Sequence, residues 1–427
     1  MQSTLKSYES DDIIQTDVLI SGGGPVGLML AIGLGQAGYD VMLAERYAPK
    51  PGAANSFDGR VLALSHGSML LLSQLGIWPD LVPFVTEIHH VHVSQKGYLG
   101  LTTLHASEVG VAALGYSIQS SDLGTVLWAH AQSQTGLHIV CPASLTHFTE
   151  EGMDSAYISA TLNVEDQVSS QVEQAQPART IQAKTIQVKT KLLVGADGTE
   201  SKVRRILGLP LQEKSYNAFG VVAQIATEQH PQHWAYERFT QNGPVALLPM
   251  HGHFHKAVYV CPASDIASVK ALDDEGFMAL FAEQMGERLG AFTQVSPRVI
   301  YPLTETYVEQ MFKGRALLMG NASHTQHPVA AQGLNLGIRD IAVFLEGMPV
   351  HTVLQPNADI GSNVWLSEYA ALRQPDHQKV MGLTDTLISV FEHRSALVGH
   401  LRGVGLMAMQ LLPSVKKRFS KFAMGGK

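Results

Sequence analysis

Residues 16–46, TDVLISGGGPVGLMLAIGLGQAGYDVMLAER, leave this chain few folds to choose from. Asp17 to Ser21 reads as a short buried strand, Pro25 to about Gln36 has helical spacing, and Tyr39 to Ala44 reads as a second strand that ends at Glu45. Between the first strand and the helix, Gly22, Gly24 and Gly27 spell G-x-G-x-x-G. Gly22 permits a tight turn, Gly24 lets the backbone approach a pyrophosphate, and Gly27 lets the helix pack closely on the strand. The start of the helix offers free N–H groups and a positive dipole end to phosphate. Glu45 can accept hydrogen bonds from ribose hydroxyls. A lone glycine pattern is a common turn, but strand, turn, helix, strand and acid in this order point to a dinucleotide, either NAD or FAD.

With 427 residues the chain has room for two domains or one large composite one. Its 45 % apolar and 16 % charged content supports a large core rather than a disordered chain. A net charge of −7 argues against non-specific nucleic-acid binding, which needs a basic face. The two cysteines, Cys141 and Cys261, make no CxxC and no disulfide framework, so a reduced, cytoplasmic setting is expected. The polar, acidic N-terminus does not read as a signal peptide, and no apolar run is long enough to predict a transmembrane helix.

Further along, residues 59–78 have helical spacing with Arg60 at their start, and a helix is expected from Asp122 with that residue as its N-cap. Residues 138–196 alternate like strands around a polar loop, EDQVSSQVEQAQPART. A buried strand then runs into Asp197-Gly198, where Asp197 reads as a turn residue or N-cap. Residues 215–305 are β-rich, interrupted by one helix at about 265–289, and suggest an antiparallel sheet. A last strand, Ala316 to Gly320, precedes a second glycine-rich turn, GNASHTQHPVAAQGLNLG. A helix follows from about Gln332 to Glu346, and the chain is helical from Trp365 on.

The second turn suits the far half of a long dinucleotide such as FAD. The N-terminal fingerprint holds only an ADP half, and the strand before Gly320-Asn321 delivers polar groups to a turn. The helix start at Gly333, Leu334 and Asn335 can meet an anionic group, and Pro328 can lie against a ring face.

The fingerprint at 22–27, Glu45, Asp197-Gly198, GPVALLP at 243–249 and GNASHTQHPVAAQGLNLGIRD at 320–340 occur in the order and spacing of the FAD-dependent aromatic hydroxylases. The chain resembles their ubiquinone-biosynthesis branch over residues 16–425. Where most of that family has Gly-Asp, this chain has Gly320-Asn321, which is similar to the 2-polyprenyl-6-methoxyphenol hydroxylases. Another departure is at 116–124, where Ser121 stands in place of the Arg or His often found beside the flavin.

The resemblance implies an α/β fold: a Rossmann-like FAD-binding domain (1–85, 105–210 and 306–350) interleaved with an antiparallel-sheet substrate domain (86–104 and 211–305), then a helical C-terminal region (351–427). It implies that Gly22, Gly24, Gly27, Glu45 and Arg60 hold the ADP half and pyrophosphate, and that Asp197 supports the region near the flavin. Asn321 would bind the ribityl chain, and Pro328, Gly333, Leu334 and Asn335 would frame the ring. NAD(P)H would bind transiently as reductant, and dioxygen would supply the oxygen placed on a polyprenyl phenol. The alternatives are a hydroxylase of another aromatic, or a flavin-bearing scaffold subunit of a ubiquinone-biosynthesis complex. A halogenase is disfavoured because Trp78, Trp128, Trp234 and Trp365 form no Trp-x-Trp pair.

No catalytic base stands out. His324 and His327 are near the second turn but read more readily as turn histidines bonded to backbone. His251, His253 and His255 of HGHFH suggest a hairpin turn before a metal site, and His89, His90 and His92 read as strand residues. In the tail no acid follows Glu392. The apolar run 404–412 leads into SVKKRFSKF, a pattern suited either to an anionic membrane surface, giving peripheral contact with the inner membrane face, or to a packed helix with a solvated basic end.

Overall fold

The run Val18-Leu19-Ile20 is apolar at every position because its strand is buried on both faces, as strands of a parallel sheet are. Val18 and Ile20 pack under the helix Pro25–Gln36, while Leu19 joins a second core on the opposite side. A computed structural model describes residues 13–47, 61–150, 156–164, 184–326, 332–349, 359–392 and 396–425.

Among these residues the first sheet has eight strands. Its centre is parallel, in the order Ala316–Leu318, Lys184–Gly195, Ile13–Ser21, Val41–Ala44, Leu137–Val140. Four of these strands end side by side, so the turns that follow Ser21, Ala44, Gly195 and Leu318 gather along one edge. Ligands of open α/β sheets bind at such an edge, outside the carboxyl ends of the strands.

The second sheet has nine strands and takes in Gln212–Thr227, Trp234–Thr240, Gly243–Pro249, Phe254–Pro262 and Val299–Tyr307. His90–Gln95 and Leu101–His105, from much earlier in the chain, extend one end of it, and His324–Thr325 of the second glycine-rich turn closes the other. One face carries Val221, Ala223, Val245, Leu247, Ala257 and Tyr259 against Phe277 and Phe281 of the helix Asp274–Met285. A third, three-stranded sheet, Val61–Ser65 with Gly115–Gln119 and Thr86–Ile88, stands between the two large ones.

Several local expectations are corrected. Residues 61–65 form a strand, because VLALS pairs with Gly115–Gln119; the helix starts only at His66, where Ser65 accepts from the Ser68 N–H at 3.2 Å. The helix expected from Asp122 spans Ser120–Ser133, so Asp122 sits in its first turn and Gln119 is its N-cap. The helix expected at about 265–289 is two, Ile266–Ala271 and Asp274–Met285, and Asp273 caps the second by accepting from Gly276 N–H at 2.8 Å. The loop 165–180 lies outside the described residues.

The C-terminal helices Asn363–Glu392, Ala396–Leu411 and Pro413–Ala423 wrap back over the body. Gln410 Oε1 accepts from Thr103 N–H at 2.9 Å, Lys416 reaches Glu108 at 2.6 Å, and the Met424 carbonyl accepts from Gly67 N–H at 3.0 Å. No helix among the described residues is long and apolar enough to cross a membrane.

Candidate functional site: a dinucleotide cavity and its neighbour

The aligned strand ends border a cavity of about 1340 Å³, larger than a single small ligand needs. It runs from Gly22, Gly24 and Glu45, past Asp197, to Asn321, Gly333 and Leu334. Five residues bridge its two ends: Ala196 N–H donates to the Ser21 carbonyl (2.8 Å), and buried Arg204 donates to the carbonyls of Ala322 (3.1 Å) and Thr199 (2.8 Å).

The three fingerprint glycines have different constraints. Gly22 has φ +111°, and a side chain there would overlap the Ala196 carbonyl. A Cβ on Gly27 would overlap the Gly22 carbonyl oxygen. A Cβ on Gly24 would meet no protein atom within 4 Å; it would project into the space where the helix Pro25–Gln36 presents its N-terminal N–H groups. In the second turn Gly320, at φ +61°, lies against Val26 of the same helix.

Glu45 has a structural role besides its place on the cavity wall. It is 9 % exposed; Oε2 accepts from Gly23 N–H at 2.5 Å and Oε1 from Tyr47 N–H at 2.8 Å, so it braces the fingerprint turn while lining the cavity. Asp197 Oδ2 accepts from Lys202 and Val203 N–H, at 2.7 and 3.2 Å, the first two N–H groups of the helix Lys202–Leu207, whose N-cap is Ser201. Asp197 Oδ1 is buried with no partner among the described residues.

Asn321 is exposed on the cavity wall, in the 3-10 turn Gly320–Ala322. Gly333 and Leu334 line the cavity from the first turn of the helix Gln332–Gly347. Asn335 is placed differently from the sequence expectation. Its Oδ1 accepts from Ser65 N–H (2.8 Å) and Ser68 Oγ (2.7 Å), and its Nδ2 donates to the Ala63 carbonyl (2.9 Å). It clamps its helix to the strand Val61–Ser65 and lines a neighbouring cavity instead. Arg60, Pro328 and His327 lie outside the described residues.

Two polar residues missed in the sequence also reach the large cavity. Ser120, rather than Ser121, lines it and has a buried Oγ without a partner among the described residues. Gln326 lines it with both amide atoms unpartnered. Buried polar atoms left without partners are costly. Together with the open space at Gly24, they fit a bound dinucleotide rich in hydroxyls and carbonyls.

His324 is not in the cavity. It is 1 % exposed, its Nδ1 bonds Ser323 Oγ at 2.8 Å, and burial together with nearby His377 pushes it down to about 3, so its ring is neutral. It belongs to a buried cluster around Asp340, whose Oδ1 is 2.7 Å from both Arg373 Nε and His377 Nε2. Burial pushes the Asp340 carboxyl up, but His377, His324 and Arg373 outweigh it and hold the group below the usual carboxylate range. The cluster has the atoms of a histidine–carboxylate metal site. Arg373 already supplies the counter-charge. His253 lies in the turn that the HGHFH sequence suggested, while His255 is wholly buried in the strand after it, where burial and neighbouring His230 push it down to about 4.

The second cavity, about 210 Å³, lies between the three-stranded sheet and the nine-stranded one. It is walled by Leu64, Val91, Leu104, Leu248 and Val258 and closed by Ser420 and Met424 of the C-terminal segment. Ala63 and Lys256 line both cavities, so the two adjoin.

A parallel sheet whose turns carry a glycine fingerprint at one end of a long cavity and a second glycine turn at the other is the build of a flavin-dinucleotide protein. The chain belongs to the FAD binding domain family, whose model matches residues 15–348. Ubiquinone hydroxylase UbiL of Rhodospirillum rubrum is 30 % identical to it over 409 residues, covering 96 % of this chain and 89 % of that protein. The 3-demethoxyubiquinol 3-hydroxylase of Escherichia coli is 26 % identical over 96 % of this chain and 98 % of its own. The crystal structure of p-nitrophenol 4-monooxygenase PnpA from Pseudomonas putida superposes with a TM-score of 0.73 at 15 % identity, over 97 % of this chain and all of that one, and so shares the fold. These relatives bear out the resemblance to the ubiquinone branch of the FAD-dependent aromatic hydroxylases. FAD is the cofactor, and NAD(P)H and dioxygen are the co-substrates.

Proposed function

We propose that this FAD-dependent monooxygenase hydroxylates a polyprenyl phenol of ubiquinone biosynthesis, taking 2-polyprenyl-6-methoxyphenol to its 1,4-benzoquinol. The observation that carries this reading is the apolar cavity adjoining the dinucleotide cavity at Ala63 and Lys256. It offers a mainly apolar lining to a prenylated ring beside the cofactor. Bound FAD supplies the redox chemistry, with electrons from NAD(P)H and oxygen from dioxygen. The protein supplies the rest. Gly24 and the helix start behind it hold the pyrophosphate, Asn321 holds the ribityl chain, and Gly333 and Leu334 border the ring. The apolar walls and the Ser420–Met424 closure keep water from the reaction. The purified FAD-loaded protein should consume oxygen and oxidise NAD(P)H several-fold faster with a short-chain 2-prenyl-6-methoxyphenol, releasing hydroxylated product. Bound FAD without such stimulation would support a scaffold role in a biosynthetic complex instead.

The C-terminal helices support a peripheral membrane contact through which such a substrate would enter. Leu401, Val404, Met407, Leu411, Leu412 and Val415 are exposed, Leu411 by 77 %, and exposed Lys417, Arg418 and Lys421 follow. Lys416 is not on this face; it is buried against Glu108. An apolar crest flanked by cations suits an anionic bilayer surface. Leu411→Glu with Leu412→Glu, both exposed, should leave FAD content and folding unchanged and abolish flotation with phosphatidylglycerol vesicles. Flotation equal to that of the unmodified chain would sink the membrane reading.

A further inference from the structure

The strand Trp234–Thr240 brings one carboxyl side chain, Glu237, to the apolar cavity. Side chains alternate along a strand, so Ala235, Glu237 and Phe239 share one face, and Tyr236 and Arg238 the other. Register makes that face explicit: Glu237 pairs with Ala246, which pairs with Val258, and both of these line the same cavity as Glu237. Glu237 is half-buried in a mainly apolar lining, and no hydrogen bond or ion pair of its carboxyl is found among the described residues. Such a group costs free energy, and a hydrophobic side chain of similar volume would avoid that cost. Its presence is explained if something entering the cavity uses it.

Its surroundings are largely uncharged. The elements packed over the cavity contribute Ser65, Asn335 and Ser420. Lys256 lies on the same sheet face with its Nζ donating to the Val61 carbonyl at 2.5 Å. Glu237 also borders a further cavity, whose lining includes His92, Arg238 and Arg288.

We propose that Glu237 receives the hydroxyl of the phenol to be hydroxylated and takes its proton. The assignment rests on the proposed phenol hydroxylation. The phenolic O–H bond breaks, an O–H bond forms on the Glu237 carboxylate, and the electron pair stays on the phenol oxygen. From there it feeds the ring that attacks the activated oxygen. The proton returns when the product's oxygen is protonated. An ordinary carboxylate is a poor base for a phenol, whose own pKa is near 10. Burial pushes Glu237 up to about 8 and so narrows the mismatch.

The test uses the full-length FAD-loaded enzyme and 2-farnesyl-6-methoxyphenol. In the unmodified enzyme kcat/KM for hydroxylation should rise with pH and level off above about 8. Glu237→Gln should bind FAD unchanged, lose at least about a hundredfold in kcat and show no such rise. Glu237→Asp, which keeps the carboxyl, should restore the pH-dependent limb. A Gln variant within twofold of the unmodified enzyme, with the pH rise intact, would overturn the role of Glu237 alone. So would an unmodified enzyme whose rate shows no inflection near 8, whether or not the Gln variant folds. An unmodified enzyme inert toward the phenol would overturn the proposed function together with this role.

Discussion

A Gly24→Val chain should fold normally and lose FAD. No protein atom lies within 4 Å of a Cβ built at this position, and the backbone there, φ −72° and ψ 179°, is one any residue adopts. The cost to the apo-protein is that of a weaker helix N-cap, about 1 kcal/mol. The added methyls project into the cavity in front of the helix N-terminus, the site proposed for the pyrophosphate, which would need its backbone N–H groups. Losing even two charge-assisted contacts of about 1.5–3 kcal/mol each lowers affinity by a hundredfold or more. Gly27→Ala should behave in the opposite way: its methyl overlaps the Gly22 carbonyl oxygen, so helix and strand must move apart and the apo-protein itself loses about 1–3 kcal/mol. The far end of the cavity extends the series. Asn321→Asp should keep FAD, since either side chain accepts a ribityl hydrogen bond, and Asn321→Leu should lose much of it. Flavin absorbance after gel filtration, with apo-protein denaturation beside it, separates these cases. A Gly24→Val protein that purifies fully yellow would place the pyrophosphate elsewhere.

Asp340→Ala should be the most destabilising single change away from the glycines, at about 3–5 kcal/mol. Asp340 is wholly buried, and its removal takes from Arg373 and His377 the carboxylate oxygen that lies 2.7 Å from each. Among the described residues Arg373 then keeps only Asp376, at 2.8 Å. The helix of Asp340, Gln332–Gly347, begins with the residues that line the cavity, so FAD retention should fall with stability. The pH dependence has a definite sign. The folded carboxyl is held below its unfolded value, so its stabilisation is full above the ordinary carboxylate range and is lost as pH falls through that range and below. Urea denaturation at pH 7 and pH 3 should therefore show a large gap between the unmodified chain and Asp340→Ala at pH 7 and a smaller one at pH 3. A gap under 1 kcal/mol at pH 7 would show that the cluster contributes little to stability.

Much of the FAD half was legible because its signals are local. The order of strand, glycine turn, helix and acid appears as read, with the helix spanning Pro25–Gln36, and the second glycine turn does reach the same cavity. Residues whose roles depend on distant partners were harder to read. Asn335 is three residues into a helix start and looks like a ligand group, yet its side chain is taken up by Ala63, Ser65 and Ser68, some 270 residues earlier. Residues 61–65 read as helix because their apolar spacing is ambiguous over five positions, and only pairing with Gly115–Gln119 makes them a strand.

By itself, then, the sequence determined where the backbone must turn tightly, which strands are buried on both faces, and that two distant glycine-rich turns belong to one cavity. These follow from backbone sterics and periodicity over neighbouring residues. Tertiary structure alone decided which side chains face the cavities. Glu237 stands in a strand, HWAYERFT, that sequence alternation identifies without saying which face meets solvent, helix or substrate. Strand register and the sheet stacked above it settled that. A one-residue shift in pairing would have moved the same carboxyl from the apolar cavity to the opposite face.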